Sequence, residues 1–422
     1  MGLKKANYMS KEWIKKNIED ICEKPQYGFT ASATEKKVGP KFLRITDITS
    51  SGVDWNKMPF CDCPPEKLSK YNLHHNDILF ARIGATTGKS FIVKNPPQSV
   101  FASYLIRLRA KEIVNPDFLY YYFQTPFYWN QINANKDNNL KGGVNGSVLS
   151  KLEVSCPPIP EQKKIAAILF IIQKAIEVQE SIIKTTQELK KSTMQHLFTY
   201  GLRGEKTKET EIGRMPESWQ KITIGKLGEI ITGTTPPTAN KEYYMGGGYQ
   251  FISPADFGKT TKIHTTLKEV SAKGLYVSRV LPKGSVCFVC IGSTIGKVGI
   301  TVKEKAATNQ QINSILVKDD LIPYFVMYLL IYKSEYIASF ASPSPVPILS
   351  KGKFEEIEIM ICLDKKEQSK IAHILKTIDD KIELHTAKKS ALQDIFKTIL
   401  NKLMTGEIRV KDLDVDVSEV SG

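Results

Sequence analysis

The stretch Glu161-Gln162-Lys163-Lys164-Ile165-Ala166 returns as Glu367-Gln368-Ser369-Lys370-Ile371-Ala372, 206 residues later (367 − 161 = 206), in a chain of 422 residues. Each copy opens a long segment without internal Pro or Gly, and Gly201 and Gly406 mark the ends of these segments. The apolar positions step by three and four, which is typical of a helix. They are Ile165, Ile168, Ile172, Ala175, Ile182, Leu189 and Leu197 in the first copy, and Ile371, Leu375, Ile378, Ile382, Leu392, Phe396, Ile399 and Leu403 in the second. The sequence therefore predicts two helices of ~40 residues, each ~60 Å long at 1.5 Å per residue.

The segments in front of these helices are also repeated. Gly84-Ala-Thr-Thr-Gly88-Lys89 returns as Gly292-Ser-Thr-Ile-Gly296-Lys297, and the opening Met9-Ser-Lys-Glu-Trp13 matches Met215-Pro-Glu-Ser-Trp219. Residues 9–206 and 215–411 thus follow one plan, and a period near 200 residues is too long for a solenoid. We interpret the chain as a duplicated pair of domain and helix.

The repeated domains have a mixed, α+β pattern. Short β-rich runs such as Asp77–Ala81 and Ser285–Val289 alternate with turn residues, and a helix is predicted to begin at Pro116 and again at Pro323. The loops diverge between the copies, as 138–147 and 342–347 show. We expect mixed α/β domains at 1–157 and 208–363, helix regions at 158–207 and 364–412, and an acidic tail at 413–422. A lone helix of this length cannot cover its own apolar stripe, so we expect the two helices to pack on each other.

The net charge of +15 is the main functional indication in the composition. A protein this basic usually binds a polyanion, although a solvated lysine-rich surface is the simpler alternative. No apolar run approaches the ~18–20 residues that span a bilayer, and the start MGLKKANYMSKEW has no apolar core of a secretory signal. We expect a cytoplasmic protein without a membrane partner.

Three motifs partly match known metal-binding, phosphate-binding and methyltransferase motifs, but each lacks a required residue or spacing. Cys287-Phe-Val-Cys290 is half of a zinc site, and its other half is missing, so buried strand cysteines are expected instead. The run Gly84–Ser90 resembles a phosphate-binding loop but has three residues between its glycines instead of four. We expect these glycines to turn a tight hairpin with Lys89 and Lys297 exposed. Asn95-Pro96-Pro97-Gln98 lacks the aromatic residue of an adenine methyltransferase motif. We predict no catalytic residue and no metal site.

The order domain, helix, domain, helix resembles the specificity subunit of type I restriction–modification systems. The motifs that carry this resemblance are the Trp13 and Trp219 openings, the glycine hairpins, the run Thr308–Asn313, the helix start Pro157–Gln162 and the helix end Leu403–Gly406. The second helix start departs from the pattern with Leu363–Lys366, and the first domain has Phe101–Tyr104 near the place of the Asn-Gln-Gln run.

The resemblance implies two target-recognition domains on an antiparallel coiled coil with pseudo-twofold symmetry. It also implies that the target is double-stranded DNA and that the chain assembles with two modification subunits and with restriction subunits. No cofactor is expected in this chain, because AdoMet, ATP and magnesium belong on the partner subunits. One turn of B-DNA is ~34 Å, so a rod of at most ~60 Å with a domain at each end suits half-sites about one turn apart.

We expect basic residues near the hairpins and loops to contact DNA, since Arg and Lys bind phosphates and Arg also reads base edges. Per residue, a solvated surface lysine is an equally good interpretation. The candidates are Lys36, Lys37, Lys41, Arg44, Arg82, Lys89 and Lys141 in the first domain, and Lys241, Lys259, Lys262, Arg279 and Lys297 in the second.

The sequence thus favours a non-enzymatic DNA-specificity subunit that reads a two-part target. Two alternatives stay open at this point. One is a coiled-coil scaffold whose paired domains bind protein, and the other is a self-sufficient DNA adenine methyltransferase.

Overall fold

A computed structural model describes residues 13–49, 52–137, 143–258 and 260–420. The chain divides into two compact units. The first unit combines Met1–Gln179 with Lys388–Gly422, and the second is the continuous segment Glu180–Ala387. The division falls inside both long helices, so each unit contains one domain and parts of both helices.

The domain of the first unit is built on a four-stranded antiparallel sheet. Its strands lie in the order Gln26–Tyr27, Leu105–Leu108, Ile78–Ala81, Ser90–Ile92. A parallel pair, Lys41–Leu43 with Ser99–Phe101, and an antiparallel pair, Ile14–Asn17 with Glu153–Cys156, complete the β-structure. The helices are Ile18–Ile21, Pro65–Tyr71, Pro116–Tyr122, Pro126–Asp137 and Gly146–Ser150, with 3-10 turns at Ile45–Asp47 and Trp55–Lys57.

The domain of the second unit repeats this plan with longer sheets. One sheet has the order Gly228–Thr232, Ile312–Val317, Val286–Val289, Val298–Thr301, Lys262–Ile263, and another has Lys268–Val270, Tyr249–Ile252, Lys305–Thr308, Leu281–Pro282. Gln220–Thr223 pairs with Glu358–Ile361, and Thr207–Lys208 with Met215–Pro216. The helices are Ala272–Tyr276, Pro323–Tyr332, Ser334–Ala338 and Lys351–Glu356, with 3-10 turns at Ile224–Leu227, Lys241–Tyr243 and Pro254–Asp256.

The helix starts follow from local chemistry. Pro116 and Pro323 each occupy the first position of a helix, where a proline loses no hydrogen bond. Asn115 caps the first of these helices, because its side-chain oxygen accepts from Phe118 N–H at 2.9 Å. The predicted helix positions are confirmed in both domains.

The two long helices are Ile159–Tyr200 and Lys365–Met404, inside the predicted helix regions and ending just before Gly201 and Gly406. In the first unit, Ile165 and Leu169 from the start of one helix share a core with Leu400 and Leu403 from the end of the other. In the second unit, the end of the first helix packs with the start of the second in the same way, through residues such as Phe198 and Leu375. Each unit therefore joins the start of one helix to the end of the other, as antiparallel packing requires.

A buried glutamine fixes each helix start to its own domain. Gln162 is 1% exposed, accepts from Asn115 N–H at 2.8 Å and donates to Pro157 O at 2.8 Å. Gln368 does the same with Ile322 N–H and Cys362 O, both at 2.8 Å. These are the Gln residues of the repeated Glu-Gln stretch, and each buried side chain satisfies two backbone groups at once.

The neighbouring glutamate fixes the end of the other helix. Glu161 accepts from Arg409 Nε and Nη2, each at 2.7 Å, in a bidentate pair. Glu367 accepts from the backbone N–H of Leu202 at 3.0 Å, just beyond the end of the first helix. We call the four residues Glu161, Gln162, Glu367 and Gln368 the Glu-Gln clamp.

The two units differ beside the long helices. In the second unit, buried Asp379 accepts from Lys190 Nζ at 2.6 Å, Tyr328 Oη at 2.7 Å and Thr261 Oγ1 at 2.8 Å. In the first unit, an aromatic contact between Tyr121 and Phe396 joins the domain to the second helix, with ring centroids 6.0 Å apart. One unit thus uses a buried charge network where the other uses packing.

The residues after the second helix pack onto the first unit. Val410 and Val420 are each 1% exposed, and Val420 O accepts from Asn115 Nδ2 at 2.8 Å. Lys164 Nζ donates to the carbonyls of Lys411 and Leu413. The predicted acidic tail at 413–422 is, up to residue 420, a packed and mostly irregular stretch that ends in a 3-10 turn at Ser418–Val420.

Among the described residues, no helix combines the length and apolar character needed to cross a membrane. The cysteines are unpaired and mostly buried, and Cys287 lies in a buried strand as expected. Burial raises the pKa of the Cys22, Cys61, Cys287, Cys290 and Cys362 thiols to about 12.

The Glu-Gln clamp predicts the effect of a small substitution. Gln162→Ala leaves Asn115 N–H and Pro157 O buried without partners, so we expect the free energy of unfolding to fall by roughly 2–4 kcal/mol. Chemical denaturation of the whole chain measures the change. Gln195→Ala, at an exposed position of the same helix, is the matched control and should stay within about 0.5 kcal/mol of the parent. Equal changes in the free energy of unfolding for the two substitutions would show that the contacts of Gln162 do not stabilise the fold.

The raised thiol pKa values predict slow alkylation. At pH 8 a thiol with a pKa near 12 is ionised about a thousandfold less often than one with a pKa near 9, and thiolate is the reactive form. We expect iodoacetamide to modify Cys287 and Cys290 at least a hundredfold more slowly in the folded chain than in denaturant. Peptide mass spectrometry measures both rates, and the denatured chain should show all seven cysteines modified. Rapid labelling of folded Cys287 would contradict the buried arrangement.

Candidate nucleic-acid interface

The two domains share one backbone frame. Phe80 lies opposite Ile106 and Ser90 in the first domain, and Phe288 lies opposite Asn313 and Val298 in the second. The same ladder places Tyr27 opposite Ile106 and Thr232 opposite Asn313, so Tyr27 and Thr232 end equivalent strands. We call the end of the sheet at Tyr27 or Thr232 the reading edge of each domain.

A glycine follows each of these strand ends and holds two backbone segments close. A Cβ at Gly28 would lie 2.2 Å from Ala102 O, and a Cβ at Gly233 would lie 2.1 Å from Asn309 O. No side chain fits at such a distance, so both positions require glycine. The frame at the reading edge is therefore set by the backbone in both domains.

The glycine hairpins are also equivalent and confirm the predicted turn. Thr87 N–H donates to Gly84 O, and Ile295 N–H to Gly292 O, each at 3.1 Å. The four hairpin glycines have φ between +81° and +93°, a region that favours glycine. Loop residues meet these hairpins in each domain, since Val144 N–H donates to Arg82 O and Leu349 N–H donates to Cys290 O.

In the first domain, four of the candidate cations are exposed: Lys36, Lys37, Arg82 and Lys89. The Arg82 guanidinium lies over the Tyr27 ring, 5.0 Å from its centroid. Tyr27 is itself held, because its hydroxyl accepts from Gly146 N–H at 2.9 Å. The structure thus brings Arg82 to the reading edge.

Two other first-domain candidates are committed to their own chain. Arg44 donates to both carboxylate oxygens of Asp47, at 2.9 and 2.8 Å, and these bonds raise the pKa of Arg44 further. Lys41 Nζ donates to Met58 O at 3.3 Å and lies 4.5 Å from the Phe60 ring centroid. Asp47 is close to Arg44 in sequence, whereas Met58 and Phe60 are distant from Lys41, and neither basic side chain is a fully available cation.

In the second domain, Lys241 and Arg279 are exposed. Arg279 Nη1 donates to Thr232 O at 2.8 Å, which places this side chain at the reading edge. Lys297 is half-buried instead of exposed as expected, and its Nζ donates to Phe257 O at 3.4 Å. It lines a pocket of about 320 Å³ together with Lys190, Asp379 and Glu383.

Lys262 has a different place from the one expected for a DNA contact. Its side chain is 11% exposed, and its ammonium binds the carboxylates of Asp380 and Glu383 on the second long helix. Desolvation opposes the charged form, but the two carboxylates outweigh it and raise the pKa of Lys262. Lys262 joins its domain to the helix, and we leave it out of the candidate interface. Lys141 and Lys259 lie outside the described residues.

The structure adds polar residues that the candidate set did not contain. Gln310 is exposed at the second reading edge, where Thr235 Oγ1 donates to its Oε1 at 2.5 Å. In the first domain, Tyr104 is 55% exposed and its carbonyl accepts from Arg82 N–H at 3.0 Å. The corresponding bond in the second domain runs from Cys290 N–H to Gln311 O, next to Gln310. The run Thr308–Asn313 marked this region in the sequence, but only as a sign of resemblance.

The exposed side chains at the two reading edges are basic, polar or aromatic. Within the part of the chain that the structure describes, no group of three or more His, Cys, Asp or Glu residues is placed to hold a metal ion. Exposed cations, amides and aromatic side chains at a rigid edge are suited to phosphates and base edges.

Comparison with known proteins identifies the family. The family model described as "Type I restriction modification DNA specificity domain" matches residues 10–188 and 216–394, one match per repeat. A putative type I restriction enzyme MjaX specificity subunit from Methanocaldococcus jannaschii is 31% identical, over 95% of this chain and 94% of its own length. The HindI specificity subunit of Haemophilus influenzae is 24% identical, over 94% of this chain and all of its own length.

A solved structure shows the same fold. The crystal structure of a type I restriction–modification S subunit from M. genitalium has a TM-score of 0.63 and 16% identity, and covers 95% of this chain and 98% of its own. At that identity the likeness concerns the fold alone. Because the family model covers both repeats and a relative is 31% identical along nearly the whole chain, this protein belongs to the family of type I restriction–modification DNA specificity subunits.

Proposed function

We propose that each domain of this specificity subunit reads one half of a two-part target in double-stranded DNA. The observation that carries the proposal is the pair of reading edges. Their backbone ladders and glycine contacts match, whereas the side chains mounted on them differ, as Arg82 with Tyr27 and Arg279 with Thr232 illustrate. One frame with two different surfaces suits two different half-sites.

The net charge supports DNA as the target. The chain carries +15, and Lys36, Lys37 and Lys89 are exposed in the first domain. Such cations neutralise phosphates without reading sequence, and they position the domain on the duplex. Arginine and amide side chains at the reading edges then supply contacts to bases.

The second part of the proposal concerns the two long helices. We propose that they set the spacing between the half-sites and bind modification and restriction subunits. In support, the relatives are named as subunits of type I restriction enzymes, and so as parts of larger assemblies. Two repeats suit two modification subunits. The chain itself then performs no catalytic step, and AdoMet, ATP and magnesium act on the partners. DNA as the target and unpaired cysteines support a cytoplasmic location.

The two alternatives are less well supported. A protein-binding scaffold gives no reason for the charge or for one frame with two polar surfaces. A self-sufficient adenine methyltransferase would need Asn95–Gln98 to stack a flipped base, and Gln98 offers no aromatic ring for that purpose.

Methylation mapping tests the function directly. The chain is co-expressed with its modification subunit in a host without adenine methylation, and methylated adenines are mapped across the genome. We expect one two-part motif with a fixed unread gap, and no such motif when the modification subunit is expressed alone. Methylation without a two-part motif, or failure of the two proteins to co-purify, would contradict the proposal.

Salt dependence separates DNA binding from scaffolding. With Z phosphates neutralised, log K should fall by ~0.9Z per log unit of salt. Replacing both Lys36 and Lys37 by Gln should therefore lower the slope by up to about 2, measured by fluorescence anisotropy with a duplex. Lys57→Gln is the matched control, because that exposed lysine already pairs with Asp54 at 3.1 Å. A slope near zero for the parent chain would favour the scaffold.

A further inference from the structure

The arginines of the two domains fall into two groups. Residues 1–157 and 208–363 contain six arginines, and four of them pair with carboxylates. These four are Arg44 with Asp47, Arg107 and Arg109 with Asp77, and Arg214 with Glu209. Among the ion pairs of the described residues, Arg82 and Arg279 have no carboxylate partner, and each domain holds one of them.

Both of these arginines lie at a reading edge. Arg82 follows the strand Ile78–Ala81, and its guanidinium lies over the Tyr27 ring. Arg279 follows the helix Ala272–Tyr276 and bonds the carbonyl of Thr232. Tyr27 and Thr232 hold equivalent positions in the β-ladder, so two arginines from different elements each contact the equivalent strand end of their own domain.

An alignment of the repeats does not reveal this correspondence. The backbone N–H of Arg82 donates to Tyr104 O, and that of Cys290 donates to Gln311 O, which makes Cys290 the positional match of Arg82. Cys290 is 2% exposed and carries no charge at this edge. In the second domain the arginine beside the equivalent strand end is Arg279, which comes from a different part of the chain.

Each arginine is held in a way that leaves donors available. The Arg82 guanidinium lies over the Tyr27 ring, and among the described residues its side chain makes no hydrogen bond or ion pair that would occupy its N–H donors. Arg279 uses Nη1 for Thr232 O, which leaves Nε and Nη2 for another partner. A guanidinium that is oriented before binding loses less conformational entropy when it meets a base.

We propose that Arg82 and Arg279 are counterpart base-reading residues, and that each recognises a guanine in its own half-site. Paired N–H donors of arginine match the O6 and N7 acceptors of guanine in the major groove. This inference rests on the proposed function, and adds which residues set the specificity and which base they select.

The test uses the complex of the chain with its modification subunit. Arg82→Ala should make one guanine position of one half-site degenerate, with a roughly ten- to hundredfold loss of discrimination there and no change in the other half-site. Arg279→Ala should do the same in the other half-site only. Methylation mapping gives the motif, and competition binding with duplexes altered at that base pair gives the discrimination.

Two further sets of variants sharpen the result. Arg82→Lys and Arg279→Lys keep the charge but lose the paired donors, so discrimination should still fall while overall affinity holds. They also replace the alanine variants if those fail to assemble. Arg214→Lys is the matched control, because Arg214 pairs with Glu209 at 2.6 Å, and it should leave the motif unchanged.

The outcomes are distinct. An unchanged methylation motif in assembled Arg82 or Arg279 variants would overturn the inference. An equal loss of affinity for all duplexes in the alanine variants, restored in the lysine variants, would indicate phosphate contacts and would also overturn it. Absence of a two-part motif with the parent chain would overturn the proposed function, and the inference with it.

Discussion

Two buried glutamine side chains are the constraint on which the rest of the structure depends. Gln162 and Gln368 bond backbone groups of their own domains, and the adjacent Glu161 and Glu367 bond the segments that follow the opposite helix. One dipeptide therefore connects three parts of each unit: the domain, the start of one helix and the end of the other. Because these groups are buried, breaking the contacts leaves unsatisfied polar atoms, which keeps the geometry unique.

This constraint explains how the surfaces could diverge. The glycine contacts of Gly28 and Gly233 and the shared β-ladder hold the reading edge through backbone atoms alone. Side chains at that edge are then free to change without loss of the fold. The same freedom extends to the interior, where Asp379 with Lys190 in one unit contrasts with Tyr121 against Phe396 in the other. The two duplicated domains thus keep the same backbone arrangement but carry different side chains on it.

Much of the fold could be predicted because its signals are local. Periodic apolar positions, helix-starting prolines and hairpin glycines identified both long helices, the helices at Pro116 and Pro323, and the tight turns. The site was less predictable because its contacts are distant in sequence. Lys262 meets Glu383 across 121 residues, Arg279 meets Thr232 across 47, and Lys297 is drawn to Phe257 O across 40. Charge and position alone do not distinguish an available cation from one that already has a partner. Arg44, only three residues from Asp47, shows that even a near partner is easily overlooked.

The division into units has a consequence for synthesis on the ribosome. The second unit is one continuous segment, Glu180–Ala387, whereas the core of the first unit includes Leu400, Leu403, Met404 and Val410. The domain that is translated first therefore cannot complete its core until residues some 250 positions after its last strand have emerged (410 − 156 = 254). The second unit has all of its own residues earlier, so the order of completion reverses the order of translation. Until then the apolar face of the first domain and the start of its helix stay exposed to solvent. During this stage the nascent chain is prone to misassembly and offers apolar surface that chaperones can bind.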